Sequence, residues 1–277
     1  SALSLSFNGK IIPISGQLGK YALQTAIILL GLKLDAERLI QISADYSLLV
    51  TAYVLITLAV GLLVGKMLSN NPVSSQLISS GTAICGGTTI ASLSPIINAR
   101  PELTAVALTL VFLLNAVALF IYPPIGHYLS LSQEQFGVWC ALSIHDTSSV
   151  VATALIYGEE SGAVATTLKL GRTLWLIPLL IVASVLQNRS STRVQIPLFV
   201  ILFVISAMIG SLIDFPVWFI DIVSFASKAL LVLALYCIGS DITRNTLSEL
   251  KGRALIHGLL LWIIVAPTTL AVVVFLI

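Results

Sequence analysis

Two pairs of ionisable residues lie inside otherwise apolar stretches of the chain. His145 and Asp146 sit within Ser143-Ile144-His145-Asp146-Thr147-Ser148-Ser149, and Lys169 and Arg172 follow a short distance on. A spacing of three puts Lys169 and Arg172 on one helix face. Two cations beside a single carboxylate suit the attraction of a small anion, and the hydroxyls of Thr147, Ser148 and Ser149 can replace its hydration shell. A second polar stretch, Ser79-Ser80-Gly81-Thr82-Ala83-Ile84-Cys85-Gly86-Gly87-Thr88-Thr89, offers hydroxyls together with glycines that let backbone N–H groups approach a ligand. The expected substrate contacts are Cys85, Gly86, Gly87, Thr88, Thr89, His145, Thr147, Ser148, Ser149, Lys169 and Arg172. Asp146 and His145 are the candidates for carrying a coupling proton, since imidazole titrates near neutrality.

Each of these residues also has a plainer reading. Asp146 can neutralise Arg172 or Lys169 as a structural pair, because buried charges are normally paired. That leaves one cation over, which is room for an anion. The hydroxyls can pack helices, and Cys85 can serve as a small residue permitting close backbone approach. An enzyme built on His145, Asp146 and Cys85 needs those groups within hydrogen-bond reach, and an anion channel needs no coupling group at all. The glycine-rich stretch is not a phosphate-binding loop, because no Gly-Lys-Ser/Thr follows it. Asn115 reads as an interhelical hydrogen-bonder, and His127 and His257 carry no signal beyond structure.

The segments that must position these residues are hydrophobic throughout. Across 277 residues the apolar fraction is 57% and the charged fraction 9%, and mean hydropathy is +1.04. A soluble chain carries roughly 25% charged residues, so most of this surface faces lipid. The formal charge of +2 is scattered, which gives no footprint for nucleic acid. Cys85, Cys140 and Cys237 are an odd set without a C-x-x-C, so neither a disulfide framework nor a metal site is expected, and no cofactor is implied. Residues 1–15 lack the basic start and apolar run of a signal peptide, and the given start is expected to lie inside a longer protein.

A span needs about 20 apolar residues. By that measure the segments are 20–34, 47–64, 73–97, 103–122, 136–157, 163–186, 196–213, 222–238 and 254–277. Lipid forces backbone groups to pair internally, so these are helices. The expected fold class is an all-α polytopic membrane protein, one transmembrane transporter domain over 1–277, with about nine hydrophobic segments. Two of them, 73–97 and 136–157, carry the polar stretches and read as broken or re-entrant. Unwound backbone at membrane depth survives where it lines a cavity.

Displacing the sequence by 60 positions superposes the two breaks without a gap. Ile84 meets Ile144, Thr88-Thr89 meets Ser148-Ser149, and Ala105, Leu108, Leu110, Leu119 and Ile121 meet Ala165, Leu168, Leu170, Leu179 and Ile181. A weaker echo pairs 20–31 with 228–239. Lys and Arg mark cytoplasmic loops: Arg189 and Arg193 mark one, and Arg244, Lys251 and Arg253 another. Asp214, Asp221 and Glu159-Glu160 fall in loops that face outward. With Lys66 and Arg100 both inside, the two breaks re-enter from opposite faces as an inverted repeat. If each segment crosses fully, Arg100 lies outside and the pair is parallel. Lys33 and Arg38 fall outside in either scheme.

The motifs resemble one family. Ile84-Cys85-Gly86 is similar to the Ser-Ile-Cys-Gly-Ala signature of the YeiH sulfate-exporter family, a name that itself rests on homology. Ser143 to Val151 resembles that family's His-Asp/Glu-hydroxyl/Ala-x-Val-Val stretch. The run from Ala165 to Trp175, with Lys169 and Arg172, resembles its Ala-x-x-x-Lys-x-x-Arg helix, followed by Pro178 as the family has it. Leu30-Gly31-Leu32-Lys33-Leu34 also agrees, whereas Gly87 and Thr88 stand where the family commonly has Ala. The resemblance implies a multi-pass carrier of the bacterial inner membrane, of the kind with inverted repeats and broken helices, and with further hydrophobic segments upstream. The function expected is alternating-access transport of a small inorganic or organic anion, such as sulfate or an organosulfonate. Coupling to H+ or Na+, membrane lipid as surroundings and a homodimer are the expected partners, with no nucleic acid.

Overall fold

A computed structural model describes residues 15–32, 36–187, 198–213, 215–241 and 252–277, and every regular element among them is a helix. Lys33, Arg189, Arg193, Asp214, Arg244 and Lys251, on which part of the charge reading rests, lie outside the described residues. The chain divides into two compact units, residues 1–44 with 195–248, and residues 45–194 with 249–277.

The first unit contains α1 (Ser15–Gly31), α2 (Ala36–Asp45), α11 (Leu198–Leu212) and α12 (Val217–Asp241). The short α2 follows the first expected segment and was not itself expected. Helices α1 and α12, which carry the weaker echo, pack side by side. Ser227 donates to the Ala26 carbonyl at 3.0 Å, and Ser206 of α11 donates to Ile28 at 2.6 Å. Hydroxyls that find carbonyl partners across a helix interface contribute the directional part of packing in lipid, where apolar side chains meet neighbours no better than they meet acyl chains.

The second unit contains α3 (Ser47–Met67), α4 (Pro72–Ala83), α5 (Gly87–Leu93), α6 (Pro101–Tyr128), α7 (Gln133–Ser143), α8 (Thr147–Tyr157), α9 (Glu159–Thr173), α10 (Leu176–Leu186) and α13 (Arg253–Leu276). Among the described residues, four stretches are long and apolar enough to cross a membrane: Ser47–Met67, Pro101–Tyr128, Glu159–Leu186 and Arg253–Leu276. The starts of the two shorter helices α4 and α7 are written in the sequence. Asn71 caps α4 ahead of Pro72, and Ser132 with Gln135 forms a capping box on α7. Helix α6 runs past its expected end at 122 and through Pro123-Pro124 to Tyr128. The missing donors and ring clashes fall near the end of the helix, where few further turns remain to be disrupted.

Contacts at the helix ends fix how the second unit is threaded. At one end, Tyr46 donates to Glu134 at 2.8 Å, and Gln133 accepts from the backbone of Glu160 at 3.1 Å. Tyr157 stacks on Phe136 with centroids 4.0 Å apart and donates to the Leu131 carbonyl at 2.6 Å. Helix α3 therefore starts at this end, α6 finishes here, α9 starts here, and α7 both leaves it and returns through α8. At the other end, Arg253 donates to the Ser69 carbonyl at 2.8 Å, which sets the start of α13 beside the turn between α3 and α4. Helix α4 leaves this end. The chain comes back to it through α5, whose following residue Ser94 meets Thr104 in the first turns of α6 at 3.0 Å. Across this second hairpin a Cβ on Gly81 would stand 2.9 Å from Ile90 Cδ1, so α5 folds back on α4. An 11-residue helix such as α7 penetrates only about 17 Å, half the hydrocarbon depth.

Candidate functional site

The two hairpin tips are residues 84–86 and 144–146, and they touch. A Cβ on Gly86 would lie 3.2 Å from His145 Cβ and 3.3 Å from the His145 carbonyl carbon. Gly86 has φ +59° and ψ −117°, a conformation open to glycine and very costly for other residues. The 60-residue displacement holds in three dimensions at this point. Ile84 and Ile144 are both helix C-caps, and Gly87 and Thr147 both begin the returning helix.

Arg172, 1% exposed, reaches the helix ends that lead into both tips. Its Nε donates to the Ala83 carbonyl at 2.8 Å, and its Nη1 donates to Ala141 and Leu142 at 2.7 Å each. Nη2 donates to the Thr82 carbonyl. These four oxygens belong to the last turns of α4 and α7, where a helix leaves its carbonyls unpaired and carries partial negative charge. The Tyr53 ring faces the guanidinium, 4.5 Å from its carbon, adding a cation–π contact. Lys169, 0% exposed, donates to the Ile144 carbonyl at 2.7 Å. The shared face expected from their spacing is real, and both cations use it to hold backbone carbonyls of the breaks.

Asp146 does not pair with either cation. It is the N-cap of α8, its carboxylate accepting from the Ser148 N–H at 3.1 Å and from the Ser148 hydroxyl. His145, 1% exposed, is held by Asn115 of α6, whose Oδ1 lies 3.0 Å from His145 N and 3.1 Å from Nδ1. Cys85 sits against Thr89, with Sγ 3.1 Å and the backbone N 3.2 Å from the threonine hydroxyl. Cys85, His145 and Asp146 thus each have a separate partner, and no hydrogen bond among the described residues links them as a nucleophile and its base.

The remaining expected contacts form the margin of the site. Thr88 is exposed, Gly87 and Thr147 are half-buried, and Thr89, Ser148 and Ser149 are buried. Gly87 faces α6, where a Cβ would stand 3.2 Å from Phe112 and 3.6 Å from Leu108. The exposed and half-buried members of the set thus lie in the first turns of α5 and α8. Ser149 offers its carbonyl to Thr153 at 2.6 Å. His257 lies elsewhere, its Nε2 2.8 Å from the Gly61 carbonyl and its Nδ1 3.2 Å from Asn70 Nδ2, as a structural tie between α13 and α3. His127 is exposed and stacks with Tyr157. Two parts of the site had no sequence signal: Tyr53, one tyrosine among seven, and the break carbonyls themselves, which every residue possesses.

The comparisons with known proteins agree on one family. The model of Conserved hypothetical protein 698 matches residues 16–258. The chain is 43% identical over 257 residues to a UPF0324 membrane protein of Porphyromonas gingivalis, covering 91% of this chain and 78% of that one. It is 38% identical over 258 residues to a UPF0324 membrane protein of Shewanella oneidensis, covering 93% and 82%. With a UPF0324 membrane protein of Vibrio parahaemolyticus the identity is 40% over 260 residues, covering 91% and 83%. No solved structure matches the chain.

Proposed function

The chain belongs to the UPF0324 family of multi-pass membrane proteins, the YeiH-type group its motifs resemble, and on that premise we propose that it is a secondary transporter of a small anion. The observation that carries this reading is the meeting of two broken helices whose carbonyl ends are held by two buried cations. Each helix end is worth about half an elementary charge. The negative ends of α4 and α7 offset the positive ends of α5 and α8. Lys169 and Arg172 against Asp146 then leave about one positive charge, which a monovalent anion neutralises. Low dielectric makes that excess effective.

The two hairpins and the spans that follow them, α4–α5–α6 and α7–α8–α9–α10, act as an inverted repeat. Support comes from their opposite ends of entry and from the 60-residue register. Alternating access is the transport mode that such a pair serves. The end bearing Lys66, Arg100 and Arg253 faces the cytoplasm and the end bearing Glu134, Glu159 and Glu160 faces outward, following the bias of basic loops. The membrane is the bacterial inner membrane. Lys169→Gln is the decisive variant, because its amide can still donate to Ile144 while the charge is gone. In proteoliposomes, oxyanion counterflow by a folded Lys169→Gln protein falls at least about tenfold, the equivalent of ~1.4 kcal/mol. Undiminished counterflow would refute the assignment.

A further inference from the structure

We infer that the anion is bound with a hydrogen of its own, as a monohydrogen oxyanion of the hydrogensulfite or hydrogencarbonate type; this rests on the transporter reading above. The inference starts from an asymmetry at His145. Its backbone N–H can only donate, so the Asn115 atom 3.0 Å away is the acceptor Oδ1. The same oxygen lies 3.1 Å from His145 Nδ1, so Nδ1 carries the ring hydrogen. In the neutral ring Nε2 keeps its lone pair, and this buried atom has no hydrogen-bond partner in the protein. Asn115 Nδ2, a donor, is likewise buried without a partner. Buried polar atoms are almost always paired. Here one acceptor and one donor are left over, on two side chains bonded to each other at a hairpin tip.

The charged and titratable groups around His145 do not fill the gap. Lys169 donates to Ile144, Arg172 is engaged by four carbonyls, Asp146 accepts from Ser148, and Cys85 faces Thr89. From α6 the facing group is the neutral Asn115. A fully deprotonated anion could accept from Asn115 Nδ2, but it would turn negative oxygen towards the Nε2 lone pair. A ligand with both a negative oxygen and an O–H satisfies the pair and the excess positive charge together. Sulfate at neutral pH has no such hydrogen; hydrogensulfite does. Transport of the monohydrogen form moves a proton with each anion.

Calorimetric titration of the purified full chain with sulfite and with sulfate, across the second ionisation of sulfurous acid, tests this. The apparent affinity for sulfite falls about tenfold per pH unit above that ionisation, as linkage to one bound proton requires. Sulfate binds more weakly and without a slope. His145→Gln, whose amide oxygen can accept in place of Nε2, keeps the slope, and folded His145→Leu loses it. Should His145→Leu not fold, the wild-type slope and His145→Gln decide. Sulfate bound as tightly as sulfite, or sulfite bound without a slope, overturns the inference and leaves anion transport standing. A slope that survives in His145→Leu also overturns it. Binding of neither anion overturns the transporter reading as well.

Discussion

The two hairpin tips solve one problem by different means. Both end a helix at an isoleucine C-cap and turn back within three residues, and both hand their carbonyls to Arg172. At 84–86 the turn is made by glycine in a conformation other residues avoid, and α5 begins without a side-chain cap. At 144–146 all three residues have negative φ or lie in extended backbone, Asp146 caps α8, and Asn115 anchors His145. One tip is specified by the absence of a side chain, the other by an excess of polar ones. The bare tip admits close packing, and the decorated tip brings polar groups that can bind.

Four substitutions probe that contrast. Arg172→Leu strikes both hairpins together, leaving the buried Ala83, Ala141 and Leu142 carbonyls unpaired at about 1–3 kcal/mol each and Thr82 with only the Tyr53 hydroxyl at 3.4 Å. We expect the protein to be lost from the membrane fraction or to unfold on extraction, as read by size-exclusion yield. Survival with an unchanged melting temperature would show that the tips do not depend on this side chain. Gly86→Ala strikes the bare tip alone. The positive φ costs about 1–3 kcal/mol, and the new methyl would stand 3.0 Å from Val111 and 3.2 Å from His145 Cβ. A clear drop in melting temperature is expected, with His145 displaced.

Gly65→Ala lies on α3 beside the hairpin stem, where a Cβ would collide with Ser75 Oγ and stand 2.9 Å from His257 Cε1. Overpacking of this kind costs about 1–3 kcal/mol. Gly65→Ala with Ser75→Ala recovers part of the loss, which a double-mutant cycle in thermal unfolding measures. Asp146→Ala removes the cap of α8, worth about 1 kcal/mol, and a half-buried carboxylate to which neither cation is hydrogen-bonded. It is the mildest of the four for stability, and Asp146→Asn is milder still because asparagine also caps. If Asp146→Ala were as damaging as Gly86→Ala, the contrast between a tip made by glycine and one made by side chains would be wrong.

Much of this was legible in the residues. Low charge and long apolar runs require a helical membrane protein, since lipid offers the backbone no partners. The two polar interruptions and their 60-residue register locate the breaks, because glycine pairs and hydroxyl clusters have no use on a lipid-facing helix. The spacing of Lys169 and Arg172 puts them on one face. The motif resemblance led to the family that the comparisons show. Helix limits were less legible where Pro123-Pro124 looks like a stop and is not, since two missing donors near a helix end are tolerated.

What the two cations hold was decided only by the fold. From sequence, Lys169 and Arg172 have Asp146 as their single visible counter-charge, because carboxylates are written in side chains. The partners they take are carbonyls at the ends of α4 and α7, partial charges that exist only once a helix stops. Those carbonyls are 25 to 90 positions away in the chain. The tautomer of His145 is likewise a tertiary fact: it follows from an oxygen on α6 that accepts both from its backbone N–H and from its ring. Residue types set which chemistry was available, and the threading of the chain set which atoms were left free to perform it.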